Sequence, residues 1–394
     1  MSRAVLERDI NKSGKLPFHV SVPCVGLWEY SESCQQLLLE SMRWCQKISG
    51  HGVEPNLFGD IRGLLGGSWY GEAMSYSQRL HAGSNAELVS SMECKIHRTS
   101  CPLPRPIFDV SGLPCPDMSS AGKRLKRAGD TNTVYIAHGR FVTTKRTPLI
   151  LVECTKDLDM GMLEDTHPDH DFYQMFSEPS DFGYRGLSRF RTWVIGSHRD
   201  ESVCLHDPFE LLDSLKSTFA KLPGATVSDF LVASEPELHL EAAALARRRK
   251  RTVPPVGKFQ QLLNVRELLC KQQLDDKYTK QWGQHPCQNP NLVYYLGDSA
   301  QYCTWSASSG KIPTYRTTAR SGLYWLPGQG RWLTSKERLC SMGFPCTHEV
   351  AEGMDVPMLG ATDIQRASDL CGNSMHFTTC GIMQLISLSC FGPR

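Results

Sequence analysis

The chain lacks a charge bias: its 394 residues carry 43 Lys and Arg against 41 Asp and Glu, a formal charge of +2. A bulk electrostatic grip on nucleic acid is thereby excluded, and any basic surface must be a local one. No run of about 18 apolar residues occurs, and no N-terminal segment has the charged, apolar, small-residue order of a secretory leader. The chain therefore reads as soluble and intracellular. Among its 16 cysteines no Cys-x-x-Cys pair exists, and their scatter fits no small disulfide scaffold. Reduced thiols in the nucleus or cytosol are the expectation. Internal repeats and low-complexity tracts are also missing, which leaves an ordinary globular composition of 40% hydrophobic and 21% charged residues.

What is present alternates. Strand-like runs at Pro106 to Val110, Pro148 to Val152 and Thr192 to Ile195 are separated by loops and amphipathic stretches such as Ser33 to Trp44, where Leu37, Leu38 and Met42 share a helical face. Alternation of this kind predicts an α/β fold with a largely parallel sheet, whose ligands sit beyond the carboxyl ends of the strands. From about Ser197 the composition changes. A helix predicted over Glu235 to Ala246 leads into Arg247-Arg248-Arg249-Lys250-Arg251, then Pro254-Pro255, then a stretch rich in Tyr, Trp and Gly. After Arg331 helical patterning returns, with Thr334 and Glu337 spaced as a capping box. The expected division is 1–196 as the first part of a catalytic domain, 197–326 as a smaller inserted domain, and 327–394 as the part that completes the first.

Three segments invite chemistry. Ser111-Gly112-Leu113-Pro114-Cys115-Pro116 follows a predicted strand and sets Cys115 between two prolines that stiffen its presentation. A buried structural thiol is the commoner use of a cysteine. Glu153 ends the apolar run Leu151-Val152, where poor solvation favours a proton-donating carboxyl, although pairing with an arginine serves as well. Ser188-Arg189-Phe190-Arg191 precedes the third strand, and alternation predicts that Arg189 and Arg191 share a face as an anion or carbonyl clamp.

The order of these segments, continued by Arg331-Trp332-Leu333-Thr334, Glu337, Gly343-Phe344-Pro345 and Gly372-Asn373-Ser374, resembles the DNA (cytosine-5)-methyltransferase family over about two thirds of the chain. That resemblance implies a Rossmann-like methyltransferase sheet with an inserted target recognition domain at 197–326. It also implies S-adenosylmethionine as cofactor and double-stranded DNA as partner, with the target base flipped out of the helix in the nucleus. By the same resemblance Cys115 would add to cytosine C6, Glu153 would act at N3, Arg191 would hold O2 and Arg189 would orient the acid. Trp28-Glu29-Tyr30 resembles the ribose-binding segment and Gly59-Asp60-Ile61 the adenine-binding one, so Glu29, Tyr30, Asp60 and Ile61 are cofactor candidates. Gly112 and Pro114 would line the methyl-donor side, and Asn373 and Ser374 would fold back onto the cofactor.

The family's opening Phe-x-Gly-x-Gly turn is absent; Ile10 to Lys15 holds only Ser13-Gly14. Pro116 stands where the family has Gln or Asn, Cys154-Thr155 where it has Asn-Val, and Leu187 where it has Gln. Two alternatives follow: a weak or inactive homologue that binds DNA or a chromatin protein, and a tRNA cytosine-5 methyltransferase. Lys123, Arg124, Lys126 and Arg127 are candidate phosphate contacts. The Arg247 to Arg251 run, and Tyr302, Trp305, Tyr315, Arg316 and Arg320, are candidates for the recognition domain, with a solvated face and a hydrophobic core as the respective plainer uses. His167-Pro168-Asp169-His170-Asp171 and Cys340, Cys346, His348 contain ligand residue types without a second pair at zinc spacing, so no metal is expected at either.

Overall fold

In the computed structural model, which describes residues 2–49, 54–119, 122–316, 322–359 and 364–394, the chain forms two compact units. The first comprises 1–177, 190–214 and 379–394, and the second 178–189 and 215–378. The border expected after 326 lies inside the second unit. Its three-stranded sheet explains this, because strands on both sides of that border pair with each other.

The first unit opens with helix α1 (Ser2–Ser13), strand β1 (Gly26–Trp28), helix α2 (Glu32–Ser49) and strand β2 (Asn56–Phe58). Strands β1 and β2 run parallel, with Trp28 opposite Phe58. Helix α3 (Tyr76–Asn85) follows, capped by a reciprocal Ser75 and Gln78 box. The hairpin of β3 (Ser91–Glu93) and β4 (Ser100–Pro102) comes next.

The unit's main sheet is built from β5 (Phe108–Gly112), β6 (Leu149–Thr155), β7 (His170–Ser177) and β8 (Arg191–His198), with helices α4 (Asn132–Thr144) and α5 (Met160–Thr166) between them. Its order is β5-β6-β8-β7. Residues Leu149 to Cys154 of β6 are all buried, as expected of a central strand covered on both faces. Glu153 is the one charge in that strand.

The α/β class agrees with the sequence reading, but the sheet is less parallel than expected. Only β5 and β6 are parallel, and β8 is antiparallel to both of its neighbours. The chain leaves β7 through 178–189, which belongs to the second unit, and re-enters beside β7 in the opposite direction as β8. Tyr135 and Phe141 of α4 pack with Phe58, Ile150, Val152 and Val194 in one core, joining the short β1/β2 pair to the main sheet's helix layer. Strand β9 (Ser202–Cys204) later pairs with the chain end.

Helix α6 (Pro208–Ala220) runs from the first unit's residues into the second's. The second unit contains α7 (Glu235–Arg249), α8 (Val265–Trp282) and a sheet of β10 (Tyr294–Tyr295), β11 (Tyr324–Leu326) and β12 (Arg331–Trp332). Helices α9 (Ser335–Ser341), α10 (His348–Gly353) and α11 (Ile364–Asn373) follow, and α12 (Phe377–Cys390) leads to β13 (Phe391–Pro393), the partner of β9. The predicted box at Thr334 and Glu337 caps α9. Glu337 also accepts a two-pronged contact from Arg331, both bonds at 2.7 Å and fully buried. Among the described residues no helix is long and apolar enough to cross a membrane.

Candidate active site

Strand β5 delivers the cysteine loop to the end of β6. Gly112 lies opposite Glu153 in the parallel register, and the Leu113 N–H donates to the Glu153 carbonyl at 3.3 Å. Beyond Pro114 the loop closes on itself, with the Met118 and Ser119 N–H groups donating to the Cys115 carbonyl at 3.0 and 2.9 Å. Leu113 and Met118 are buried, and Cys115 between them is half-buried. The loop's far side is held as well. Asp117 accepts from the Thr131 N–H and hydroxyl at 3.1 and 2.8 Å, and a Cβ on Gly129 would fall 2.1 Å from that carboxylate. Gly122 is equally constrained, since a Cβ there would lie 1.8 Å from the Pro116 carbonyl oxygen.

Tyr135, which the sequence reading did not single out, ties the loop to the strand. Its hydroxyl lies 3.2 Å from the Pro114 carbonyl oxygen, to which it donates, and 3.4 Å from Cys154 Sγ. Burial pushes the Cys154 thiol up to about 12, so this thiol stays protonated and inert. Of the two neighbouring cysteines, Cys115 is the half-buried one, on the loop beyond β5.

Arg191 begins β8 opposite Thr155, which makes it a diagonal neighbour of Glu153 on one face of the sheet. Arg191 Nε lies 3.1 Å from Glu153 Oε1, at ion-pair distance, but off the hydrogen-bonding direction, so that Oε1 is buried without a hydrogen-bond partner. A buried polar atom left this way costs about 1–3 kcal/mol.

Arg189 is placed differently from the expectation. The strand begins at Arg191, so the alternation does not extend back, and Arg189 belongs to the second unit. There its guanidinium donates to the carbonyls of Cys371, Gly372 and Ser374 at 3.5, 3.4 and 2.5 Å. A cation at these carbonyls complements the negative end of α11. Asn373 ends that helix, and Ser374 returns its hydroxyl to the Leu370 carbonyl at 2.7 Å.

The nucleoside-side candidates follow β1 and β2. The Glu29 N–H continues the ladder to the Phe58 carbonyl at 3.1 Å, and Glu29 Oε1 accepts from the Ser31 N–H at 2.7 Å. Tyr30 is 79% exposed, while Ile61 packs against the core. Asp60 is engaged locally, capping the turn after β2 and taking both Nε and Nη2 of Arg62. Burial pushes its carboxyl up, but the hydrogen bonds and charge of Arg62 outweigh this and hold it below its ordinary value.

For S-adenosylmethionine the fit is therefore partial. Glu29 and Asp60 stand beyond the carboxyl ends of a parallel pair, where nucleotides bind such sheets. No cradle for the methionine end occurs among the described residues, because Ser13-Gly14 closes helix α1 instead of following a strand.

The basic residues divide. Lys123, Arg124 and Lys126 are exposed, whereas Arg127 pairs with Asp159 and Asp165 at 3.3 and 2.8 Å. In the second unit Arg249 bonds Glu267, and Arg251 bonds backbone carbonyls. Trp305 and Tyr315 are core residues, Tyr302 is exposed, and Arg316 pairs with Asp298. Arg320 lies outside the described residues.

A second buried network resembles a hydrolytic triad without being one. Ser111 and Asp109 both meet Nε2 of His138 at 2.9 Å, and the opposite nitrogen contacts His167 Nε2 at 2.8 Å. Serine and carboxylate share one nitrogen, so no relay through the ring exists. His170 likewise turns inward, its Nε2 3.0 Å from the Thr147 carbonyl oxygen.

No family model matches the chain, and no curated protein matches it by sequence. Solved structures similar to it include a Spodoptera frugiperda DNMT2 variant, 10% identical with a TM-score of 0.42, covering 98% of this chain and 96% of that one. The S. pombe Dnmt2 methyltransferase is 11% identical with a TM-score of 0.43, covering 93% and 97%. The Entamoeba histolytica methyltransferase EhMeth is 10% identical with a TM-score of 0.41, covering 93% and 98%. Overlap of this degree leaves substrate and chemistry to the residues of this chain.

Proposed function

We propose that the chain is a cytosine-5 methyltransferase of the DNA (cytosine-5)-methyltransferase family, acting on DNA. The observation that carries this reading is the convergence of Cys115, Glu153 and Arg191 from β5, β6 and β8 at one end of one sheet. Carbon 5 of cytosine is a poor nucleophile, and addition of a thiolate to C6 makes it an enamine. Cys115 is the thiol presented for that addition. The Cys115 thiol gives its proton to solvent as its sulfur bonds to C6, and electrons move toward N3. There Glu153, entering the step as the carboxylic acid once Arg191 has turned to the base, donates its proton and prevents charge from accumulating. After methyl transfer the C5 proton leaves to water and the C6–S bond breaks, freeing Cys115. Arg191, already beside Glu153, turns to the O2 carbonyl as the base enters. S-adenosylmethionine, when bound, supplies an electrophilic methyl group; Glu29 and Ile61 would hold its nucleoside end, with Asp60 joining once Arg62 releases it. A base in a duplex must leave the stack at a cost on the order of a few kcal/mol. Lys123, Arg124 and Lys126, directly after the cysteine loop, are the residues that would meet phosphate as it does so.

The engaged Asp60 and the missing glycine turn favour one second reading, a weak or inactive relative that keeps the base-binding loop. Two assays on the full chain decide between them. A duplex containing 5-fluorocytosine, with S-adenosylmethionine, should form a covalent adduct that peptide mapping places on Cys115. Tritium from labelled cofactor should reach duplex DNA in preference to tRNA. No adduct and no transfer, with DNA still bound, would establish the binding module; preferred transfer to tRNA would replace the substrate.

A further inference from the structure

The β3/β4 hairpin carries a group of side chains that the methyl-transfer reading does not use. Cys94 leaves β3, His97 lies in the turn, and Cys101 returns on β4, giving the spacing Cys-x-x-His-x-x-x-Cys. Their ligand atoms all lie within 4.8 Å of one another, and His97 Nδ1 is 3.4 Å from Cys101 Sγ. In a tetrahedral site with Zn–S of about 2.3 Å and Zn–N of about 2.0 Å, neighbouring donors are roughly 3.5–3.8 Å apart. A contraction of about 1 Å at the widest pair would therefore suffice.

Two buried thiols alone would pass as core residues, and Cys94 and Cys101 do pack in the first unit's core. Three further contacts set this group apart. The backbone N–H of Leu57 donates to Cys94 Sγ at 3.4 Å. The Thr99 hydroxyl lies 3.9 Å from Cys101 Sγ. Behind the imidazole, Glu54 Oε2 lies 3.9 Å from His97 Nε2. That arrangement leaves Nδ1 for the ion and sets a carboxylate a short side-chain movement from the ring's other nitrogen, where metal-bound histidine usually has a hydrogen-bond partner. The turn itself is pinned by the Cys94 N–H to the Thr99 carbonyl at 2.9 Å and the Arg98 N–H to the Cys94 carbonyl at 2.8 Å.

We propose that Cys94, His97 and Cys101 bind one zinc ion, with Glu54 as a positioning residue behind His97 and the fourth position taken by solvent. Two thiolates and an imidazole suit zinc among the abundant divalent ions, whereas magnesium and calcium require oxygen donors. The ion would replace two thiol protons, which leave to solvent as the thiolates form. Its role is to fasten the hairpin to β2: Leu57 donates to Cys94 Sγ and accepts from the Lys95 N–H at 2.7 Å, and Asp60 follows β2 by two residues. The proposal stands apart from methyl transfer, because its readouts are metal content and spectrum.

The full chain, purified without added metal under reducing conditions, should retain about one zinc per chain by elemental mass spectrometry, as expected of a built thiolate site. Cobalt(II) substitution should give the intense visible bands of a tetrahedral site and a near-ultraviolet sulfur-to-cobalt band. His97→Ala should weaken zinc binding at least about 100-fold, and Glu54→Gln by less, about tenfold, at the low end of the 10- to 100-fold cost of losing an outer partner. Cys101→Ser should remove the sulfur-to-cobalt band or halve it. Cys287→Ser, at an exposed cysteine outside the group, should change none of these. Should a buried-cysteine variant fail to fold, the half-exposed His97 variant still decides the matter. Folded wild-type protein that takes up no zinc or cobalt at micromolar concentration overturns the proposal. So does metal retained unchanged by His97→Ala, or a Cys94–Cys101 disulfide in the protein prepared under reductant.

Discussion

The two ends of the first unit that would flank a substrate are finished to different degrees. At the end of β5, β6 and β8 every piece is set: the loop of Cys115 is bonded to β6, Tyr135 braces it, and Glu153 keeps a buried oxygen without a hydrogen-bond partner beside Arg191. At the end of β1 and β2 the candidate acceptor is already satisfied, because Arg62 occupies both oxygens of Asp60. A carboxyl with no hydrogen bond to displace is open to an incoming base, whereas one already hydrogen-bonded must first be released. Under the proposed function, the contrast teaches that the end that would handle the base is preorganised and the end that would capture the cofactor is not.

The largest expected effect breaks the first half of that contrast. Cys115→Ser should abolish adduct formation with a 5-fluorocytosine duplex while leaving DNA binding within about twofold, since an alcohol is a far weaker nucleophile than a thiolate at neutral pH. Gel mobility and mass mapping read both quantities. An adduct that persists in the variant would place the nucleophile elsewhere.

Next in size is a test in the second unit, where motif residues are structural. Arg331→Met strands the buried Glu337 carboxylate, and loss of one partner of such a pair costs about 3–5 kcal/mol. Urea unfolding followed by tryptophan fluorescence should show it. A loss below about 1 kcal/mol would mean that water or a shifted side chain compensates Glu337.

Acid should act on the core behind the sheet. Burial pushes His170 down to about 4, so the unfolded chain binds that proton before the folded one does. The associated stability is fully present above about pH 6.5 and is lost as pH falls toward about 4. His170→Gln, which keeps a donor for the Thr147 carbonyl, should lose about 1–2 kcal/mol less than wild type between pH 7 and 5. Parallel losses in the two proteins would assign the acid sensitivity to other groups.

The second half of the contrast can be sharpened by calorimetry with S-adenosylmethionine. Asp60→Ala should weaken binding by about 1–3 kcal/mol, the cost of leaving a bound adenine amino group without its hydrogen-bond partner. Arg62→Ala should instead tighten it several-fold, because the Asp60 carboxylate no longer has to be released. Weaker binding in both variants would make the Asp60 and Arg62 pair itself the binding element.

Much of the β5, β6 and β8 end was legible because its signals are local. An apolar run interrupted by one glutamate identifies a central strand with Glu153 at its end, and prolines around Cys115 mark a stiff loop. Thr334 and Glu337 showed the start of α9 for the same reason. The sheet's antiparallel β8 was not legible, because strand direction depends on where the chain travels between 178 and 189. Arg189 was misplaced on the same account: spacing puts it one strand step from Arg191, but the strand starts only at Arg191 and the preceding residues serve the second unit. Tyr135 and the His138 network were not singled out, since nothing in a helical pattern says that a hydroxyl or imidazole will meet a strand end. Cys94, His97 and Cys101 escaped notice because a histidine stands between the cysteines and the third donor comes back across a hairpin.

The smallest effect separates the cations proposed to meet phosphate from those in internal pairs. Lys123, Arg124 and Lys126 are exposed and follow the cysteine loop, while Arg127 is held by Asp159 and Asp165 and lies 5.3 Å over the Tyr76 ring. Removing one cation that neutralises a phosphate should flatten the salt dependence of DNA binding by about 0.9 in the log–log slope. Neutralising Lys123, Arg124 and Lys126 together should therefore flatten the slope by up to about 2.7. Arg127→Gln should leave the slope almost unchanged and lower thermal stability slightly, because a guanidinium already paired with two carboxylates releases no counterions from DNA. Arg191→Gln should also leave the slope alone, since a base carbonyl has no condensed counterions, yet it should reduce adduct formation. Equal slope changes for Arg127 and the exposed three would mean that the Asp159 and Asp165 pairs open when DNA binds; a slope change for Arg191 would move it from the base to the backbone.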